Sequence, residues 1–387
     1  MLKLDEQLLA KINQRAKLSQ LRERLSLTSS QGSIIEINGK YFDNFSSNDY
    51  LGLANHTETL NIIKQQLDES GFGSGASHLI TGHHKIHQQL ENELADFLVR
   101  DSAITFSTGY MANLAILQTL AKKGDLIIAD KLNHASLIDG VKLSSADSVR
   151  YQHCNIKKLQ ARLKSSAANK WVVTDSVFSM DGDIAPLDEI SALCKKYNAH
   201  LIVDDAHGIG VLGREGKGCA EYFNLGQSEL PILMGTFGKA LGGFGAFVSG
   251  SKALTSYLMQ FSRSYIYTTA LPSAIAAANL FNLKLIKDDQ KYRVNLNKNI
   301  QYFKQQCKKE SVELMPSETA IQPMMIGCSK KITEVSEQLK TNGFLVGAIR
   351  PPTVAKNTDR LRVTLSASHQ FEQISRLVKQ LKMINKV

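Results

Sequence analysis

Cysteine is scarce in this chain of 387 residues. Its five copies, Cys154, Cys194, Cys219, Cys307 and Cys328, are odd in number and include no CxxC pair. That excludes a fully paired disulfide framework and a zinc-ribbon spacing, and it fits reduced thiols in a cytosolic protein. Long apolar runs are missing too. Nowhere do about eighteen apolar residues stand together, so no membrane span is expected. Residues 1–25 are rich in Lys, Arg, Glu and Gln and contain no apolar h-region, so they do not read as a secretory signal and a cytoplasmic location is expected. There is no internal repeat and no low-complexity linker.

Acidic residues are outnumbered, 36 against 46 Lys and Arg, which leaves a formal charge of +10. An excess of positive charge attracts nucleic acid, but also phosphorylated or acidic small partners. Here it is scattered in singles and doublets; Lys308-Lys309, for example, is followed at once by Glu310. A solvated basic surface accounts for it, and no nucleic-acid partner is expected. A thioester substrate on coenzyme A or an acidic carrier protein would suit the same charge. The remaining composition, 43% hydrophobic and 21% charged, is that of a globular protein long enough for two domains and a large core without disulfide or metal.

Leu4, Leu8 and Ile12, then Leu18, Leu21 and Leu25, recur at helical spacing, which predicts an amphipathic helix over 4–25. Residues 33–46 read as a hairpin turning at Asn38-Gly39. Strand-like apolar runs stand at 103–106, 126–129, 171–174, 201–204, 231–234 and 245–249, with helix-like stretches between several of them, notably 110–122, 156–165 and 187–197. Short buried strands separated by amphipathic helices predict an α/β domain with a mostly parallel sheet. A long amphipathic stretch follows over 272–309. Strands at 321–326, 344–347 and 360–364 and a final helix at 369–384 then predict a second, smaller α+β domain. The expected division is an N-terminal helix and hairpin over 1–45, a large domain over 46–285 and a small domain over 286–387.

The sharpest local signal is Gly235-Thr236-Phe237-Gly238-Lys239-Ala240, after the apolar run Ile232-Leu233-Met234. A Walker A loop needs Ser or Thr after its lysine, and Ala240 stands there, so the phosphate-loop reading fails. A lysine among small residues at a strand end can instead approach a carbonyl unobstructed, and burial lowers its pKa toward the nucleophilic form. Thr236 would offer a hydroxyl to a phosphate. A plain glycine-rich turn with an exposed lysine weighs equally when the segment is taken alone.

A second signal is Leu201-Ile202-Val203-Asp204-Asp205-Ala206-His207, an apolar strand that delivers a carboxylate at its C-terminal end, where α/β sheets place ligands. Pyridoxal phosphate (PLP) needs an aspartate at its pyridine nitrogen to act as an electron sink, and His207 can address the ring's phenolic oxygen. The competing reading is a metal-binding Asp-Asp pair or a strand-end turn. Phe106-Ser107-Thr108-Gly109-Tyr110 is a strand, a small-residue turn and a helix start. Its free N–H groups make a phosphate site, although an ordinary capped joint fits that segment as well. His134 in Asn133-His134-Ala135-Ser136 can stack on a planar ring, and Ser179, just past the strand at 171–174, can reach the phenolic oxygen. Gly71 to His78 reads as a flexible glycine-rich loop. His83 and His87 beyond it have metal-ligand spacing but no accompanying third ligand, so no metal is expected.

Taken in order, Asn133-His134-Ala135-Ser136, Phe178-Ser179-Met180-Asp181-Gly182, Asp204-Asp205-Ala206-His207-Gly208 and Thr236-Phe237-Gly238-Lys239-Ala240 resemble the α-oxoamine synthases, a branch of the fold-type I PLP enzymes. The resemblance spans about Asn44 to Thr364. It implies a Schiff base at Lys239, Asp204 at the pyridinium and His134 stacked on the ring. Ser179 and His207 would sit at the phenolic oxygen, and Gly109, Tyr110 and Thr236 at the phosphate. Thr268 and Thr269 resemble a segment that reaches the phosphate of the partner subunit, which implies a homodimer. Arg350 would grip an amino-acid carboxylate in the bidentate manner of arginine. Thr353 and Arg22 are further substrate contacts, with Arg24 close enough to take the place of Arg22.

The implied reaction is a decarboxylative condensation. Lys239 removes the Cα proton of an amino acid, the carbanion attacks a thioester, and thiol and CO2 leave. Residues 73–84 and 348–354 most resemble the branch that uses L-alanine with pimeloyl-CoA or a pimeloyl carrier protein. The alternatives are a glycine-using member of the family and a non-catalytic basic binding protein. The second leaves the combination of Lys239, Asp204 and His134 without a purpose.

Overall fold

The computed structural model describes residues 3–385. Among them, twelve strands form two sheets. In chain order they are β1 (Ile34–Ile37), β2 (Lys40–Phe45), β3 (Ser102–Phe106), β4 (Leu126–Asp130), β5 (Asp147–Tyr151), β6 (Lys170–Asp175), β7 (His200–Asp204), β8 (Ile232–Thr236), β9 (Ala246–Gly250), β10 (Ile321–Met325), β11 (Phe344–Ile349) and β12 (Arg360–Thr364). The chain divides into two compact units. One gathers the described residues up to Gly52, Met180–Asp183 and those from Val294 onward; the other holds Leu53–Ser179 and Ile184–Arg293.

The first unit carries the five-stranded sheet, in the order β1-β2-β11-β12-β10. The hairpin turns where expected, because Asn38 (φ 51°) and Gly39 (φ 76°) both take the left-handed conformation that a two-residue turn requires. The parallel pairing of β2 with β11 joins the hairpin to the C-terminal strands. The N-terminal helix, expected over 4–25, is Lys3–Lys17 only. Ser19 takes φ 54°, and the N–H groups of Leu18 and Gln20 close on the Arg15 carbonyl. No residue of Lys3–Lys17 is buried, so the leucine spacing is not backed there by tertiary packing of an apolar face. The stretch over 272–309 is likewise two helices, Ser273–Asp288 and Lys291–Lys309. Asp289 divides them by accepting the Lys291 N–H at 2.9 Å.

The second unit carries the seven-stranded sheet, in the order β3-β9-β8-β7-β6-β4-β5. Strands β5, β4, β6, β7 and β8 run parallel, and β9 lies antiparallel to both β8 and β3. Its central strands are apolar and buried, as strands covered on both faces must be. β5 was not expected. Asp-Ser-Val-Arg-Tyr contains no apolar run, because this edge strand leaves most of its residues open to solvent. Helix Gly109–Leu120 covers the sheet with Ala112, Ala115, Ile116 and Leu117, and packs on helix Ala135–Leu143 so closely that a Cβ at Gly140 would lie 2.7 Å from a Leu117 methyl. No helix among the described residues is long and apolar enough to cross a membrane.

One buried acid in this unit gives stability a pH dependence. Burial pushes the Glu91 carboxyl up to about 7, although Thr105 donates to Oε1 through both N–H and hydroxyl at 2.8 Å. The folded state therefore holds a proton that the unfolded chain releases near the ordinary glutamate value. Stability falls as pH rises from about 4.5 to 7. Glu91→Gln keeps the acceptor for Thr105 and removes the titration. It is expected to match the parent at pH 4.5 and to be more stable by about 3 kcal/mol at pH 8, measured as melting temperature across that range.

Candidate active site

The parallel strands end in carboxylates. Asp175 closes β6, Asp204 closes β7, and the two are register partners, both buried. Asp204 Oδ1 accepts the Ala206 N–H at 3.0 Å, and Oδ2 accepts the Asn113 side-chain amide at 2.7 Å. Asp175 Oδ2 accepts the backbone N–H of His134 at 2.8 Å. Burial pushes Asp175 well above the usual carboxylate range, and the neighbouring Asp204 adds to the push. Two carboxylates side by side under low dielectric hold one charge between them. Asp204 accepts two N–H donors, and Asp175 accepts one.

His134 follows β4 and opens helix Ala135–Leu143, and Ser136 sits 2.7 Å from its Nδ1. The residue is exposed at the surface. Desolvation of its charged form is nonetheless the largest influence and holds its pKa below the ordinary imidazole range; the Lys239 charge lowers it further and Asp204 opposes.

Lys239 lies in the loop between β8 and β9. This loop is fixed by its own backbone: Phe237 N–H donates to Gly245 at 3.0 Å, Gly243 N–H to Phe237 at 2.8 Å and Gly242 N–H to the Lys239 carbonyl at 2.9 Å. Thr236 donates its hydroxyl to the Gly245 carbonyl at 2.8 Å and accepts the Gly238 N–H at 3.2 Å. The lysine is half-buried. The loop is thus a rigid ring of hydrogen bonds that presents one amine.

Gly109 and Tyr110 begin helix Gly109–Leu120. Thr108 caps it by accepting the Met111 N–H at 3.1 Å, which leaves the first N–H groups at the open end. Tyr110 is exposed and gives its hydroxyl to Asp139. Thr268 is half-buried and Thr269 exposed, and the Thr269 carbonyl accepts the Ser107 hydroxyl at 3.3 Å. Ser179 is half-buried just beyond β6, and His207 is buried just beyond β7. The Asp-Asp pair that could have been read as a metal site divides its labour. Asp205 points away from Asp204's partners to bind the Ser176 hydroxyl and, at 2.8 Å, the Cys219 N–H. Burial pushes its pKa up to about 7. It pins the glycine loop that follows; Gly218 has φ 81°, and a Cβ there would run into the Asp205 carboxylate.

The three substrate candidates lie in the other unit and meet one another there. Arg350 Nη1 donates to the Ser19 carbonyl at 2.8 Å and to Thr333 at 3.1 Å, and its Nη2 donates to the Leu21 carbonyl at 3.2 Å. The segment so held carries Arg22, whose Nη2 reaches the Thr353 hydroxyl at 3.3 Å. Arg24 lines a different cavity of about 750 Å³ with Lys40 and Lys340. Geometry therefore groups Arg22, rather than Arg24, with Thr353 and Arg350.

The glycine-rich loop is better fixed than its composition suggests. Ser74 donates to the Leu271 carbonyl at 2.8 Å, and Ala270 N–H donates to Ala76 at 3.0 Å. His87 is buried with both ring nitrogens engaged: Nδ1 accepts the His84 N–H at 2.9 Å, and Nε2 donates to Leu271 at 2.6 Å. Among the described residues one cluster, Asp130, His153 and Cys154, sets three donor atoms within 4.8 Å of one another. Its carboxylate is already bonded to the Leu132 and Cys154 N–H groups.

Three residues of this hydrogen-bond network went unassigned at the level of sequence: Asn113, Ser136 and Asp175. The signal for the first was present. An asparagine inside the otherwise apolar run Met111-Ala112-Asn113-Leu114-Ala115 is buried on the sheet side and needs a partner.

Comparison with known proteins adds to this geometry. A family model described as aminotransferase class I and II matches residues 43–381. A protein of Hydrogenovibrio crunogenus named 8-amino-7-oxononanoate synthase is 52% identical, over 93% of this chain and 91% of its own. One of Cellvibrio japonicus with the same name is 47% identical, over 97% and 94%. Among solved structures, the serine palmitoyltransferase of S. paucimobilis with bound PLP and myriocin superposes with a TM-score of 0.93 at 29% identity, covering 100% of this chain and 98% of that one. The 8-amino-7-oxononanoate synthase of Francisella tularensis does so with a TM-score of 0.79 at 35% identity, covering 89% and 98%.

Proposed function

The chain belongs to the class I and II aminotransferase family and, within it, to the 8-amino-7-oxononanoate synthases, PLP-dependent acyl transferases, and we propose that it condenses L-alanine with a pimeloyl thioester in biotin biosynthesis, releasing CO2 and the thiol. The observation that carries this reading is the presence, in one compact unit, of a buried Asp204 that accepts two N–H groups, the Lys239 loop and His134, each at or after the end of a strand of the parallel sheet.

The residues fit the cofactor. A buried, hydrogen-bonded carboxylate suits a pyridinium, an open helix start suits a phosphate, and a Cβ at Gly238 would meet nothing closer than 3.7 Å, so the lysine loop leaves room. When bound, PLP supplies the electron sink for charge that develops at the substrate Cα. The chain's own groups do the rest. Lys239 is assigned the covalent attachment and then the removal of the Cα proton at Nζ. Asp204 is assigned the pyridine nitrogen, His134 the ring face, and Ser179 and His207 the phenolic oxygen. Gly109, Tyr110 and Thr236 are assigned the phosphate, together with Thr268 and Thr269 from the partner of a homodimer. Large exposed apolar side chains in the same unit, Phe72, Ile80, Phe261 and Tyr267, favour such a partner. Arg350, Thr353 and Arg22 are assigned the substrate on their chemistry, and a carboxylate at Arg350 would take over donors now spent on Ser19 and Leu21. The acyl donor is pimeloyl-CoA or a pimeloyl carrier protein; both are acidic, and the charge of +10 suits either.

The stronger superposition on a serine palmitoyltransferase supports a shared fold, which does not choose a substrate. The sequence identity of 47–52% to relatives of the other name weighs more. The test is a product assay of the purified chain. With L-alanine and pimeloyl-CoA it is expected to form 8-amino-7-oxononanoate by mass. Glycine is expected to be poorer by about 10- to 200-fold in kcat/KM, the range that one methyl group commands. Faster turnover of glycine with acetyl-CoA or succinyl-CoA would overturn the substrate assignment.

A further inference from the structure

We infer that Asn113 is a positioning residue whose single side-chain amide fixes both the charge on Asp204 and, through Ser136, the tautomer of His134. The inference rests on the PLP reading above and adds two residues to it.

Asn113 is fully buried in helix Gly109–Leu120, so its polar atoms have to be bonded within the protein. Its Nδ2 lies 2.7 Å from Asp204 Oδ2 and 2.9 Å from Ser136 Oγ, while its Oδ1 has no partner. The orientation of the amide is not arbitrary. Exchanging oxygen and nitrogen would put both N–H donors where the structure offers no partner, in place of one unpaired carbonyl. Both amide hydrogens are therefore committed, one to each neighbour.

The Ser136 hydroxyl accepts one of them, so its own proton is free to turn elsewhere. His134 Nδ1 stands 2.7 Å away. The Ser136 backbone N–H points at the same nitrogen from 3.3 Å. A nitrogen that faces two donors is an acceptor. The imidazole is then neutral and carries its proton on Nε2. The charged and titratable groups that act on it are Asp204, Asp175 and Lys239, with Asp130 acting on Asp175 in turn. None of the three bonds His134 Nδ1 in place of Ser136.

The same amide decides which of the two adjacent carboxylates is charged. Asp204 takes N–H donors from Asn113 and Ala206; Asp175 takes one, from His134. Without Asn113 the two are evenly matched, and the proton has no reason to stay on Asp175. One side chain thus sets the charge beneath the cofactor site and makes the ring that faces it a donor at Nε2.

The test is ¹⁵N NMR of histidine-labelled holoprotein, with His134→Gln to assign the signal, together with PLP retention on dialysis and the pH profile of kcat. In the parent, His134 is expected as the neutral Nε2–H tautomer at pH 7. Ser136→Ala is expected to raise the His134 titration by about one pH unit or more, and the acid limb of kcat with it, while PLP retention stays within about twofold. Asn113→Leu is expected to move the same titration and also to weaken PLP retention at least about tenfold. A parent imidazole protonated at Nδ1 would overturn the inference. So would variants that lose activity evenly at all pH with an unchanged His134 titration. The parent spectrum and Ser136→Ala decide the matter even where Asn113→Leu does not fold. These readouts are independent of which amino acid is turned over, so an error in substrate leaves them standing, whereas a parent that retains no PLP refutes the function reading itself.

Discussion

Lys239→Ala is expected to remove the visible absorption of the PLP-loaded protein and to lower kcat by about 10⁴-fold or more, the scale on which loss of a covalent-catalysis residue acts. Two jobs vanish at once: the covalent hold on the cofactor and the base for the Cα proton. The fold is expected to survive. The loop is closed by backbone bonds among Phe237, Lys239, Gly242, Gly243 and Gly245, to which the lysine gives its carbonyl. An alanine there leaves that carbonyl in place, so melting of the cofactor-free proteins should agree within about 1 kcal/mol. Absorption, turnover and melting measured on the same samples separate a lost amine from a lost fold.

Asp204→Asn is expected to cost a rate factor on the order of a hundred or more, as loss of a preorganised charge does at the reacting centre. The structure makes this substitution worse than its near-isosteric shape suggests. Two N–H groups, from Asn113 and Ala206, converge on the two oxygens of Asp204. An asparagine has one carbonyl, so one donor is left facing an NH2 group. The loss also frees Asp175. Burial is the main cause of its raised pKa, but the Asp204 charge is the second, and removing it lets Asp175 ionise more readily. Part of the lost activity is therefore expected to return as pH rises, a slope that the parent lacks. Single-turnover rates from pH 6 to 9 with PLP confirmed bound measure it. Near-parent rates across that range would refute the role.

How much of this was legible in the sequence depends on the kind of interaction. The buried strands 171–174, 201–204 and 231–234 were plain because parallel strands covered on both faces are continuous apolar runs, and Asp204 and Lys239 were singled out from where the last two of those runs stop. The turn at Asn38-Gly39 was plain because its backbone conformation admits few other residues. The edge strand Asp147–Tyr151 was not, since an exposed edge does not need an apolar pattern. The helix expected to run to residue 25 stops at Lys17, ahead of the left-handed turn at Ser19, because apolar spacing alone does not mark such a turn. Asp175 escaped for a different reason. Its importance lies in standing opposite Asp204 in register, and a register is made by folding. The role of Asn113, 91 residues from the carboxylate it bonds, is hidden in the same way. What the sequence offered was only the cost of burying it.

The site follows from this arrangement. Asp175 and Asp204 stand side by side at the ends of β6 and β7, and Asp204 gathers the greater number of N–H donors. A loop closed by its own backbone presents one amine. The central claim is that this amine, Lys239, holds PLP covalently. Borohydride reduction of the purified PLP-loaded protein, followed by mass analysis of its peptides, tests that claim most directly. The account predicts a pyridoxyl-phosphate adduct on the peptide containing Lys239 and on no other lysine. An adduct at a different lysine, or none on protein that still turns over, would contradict it.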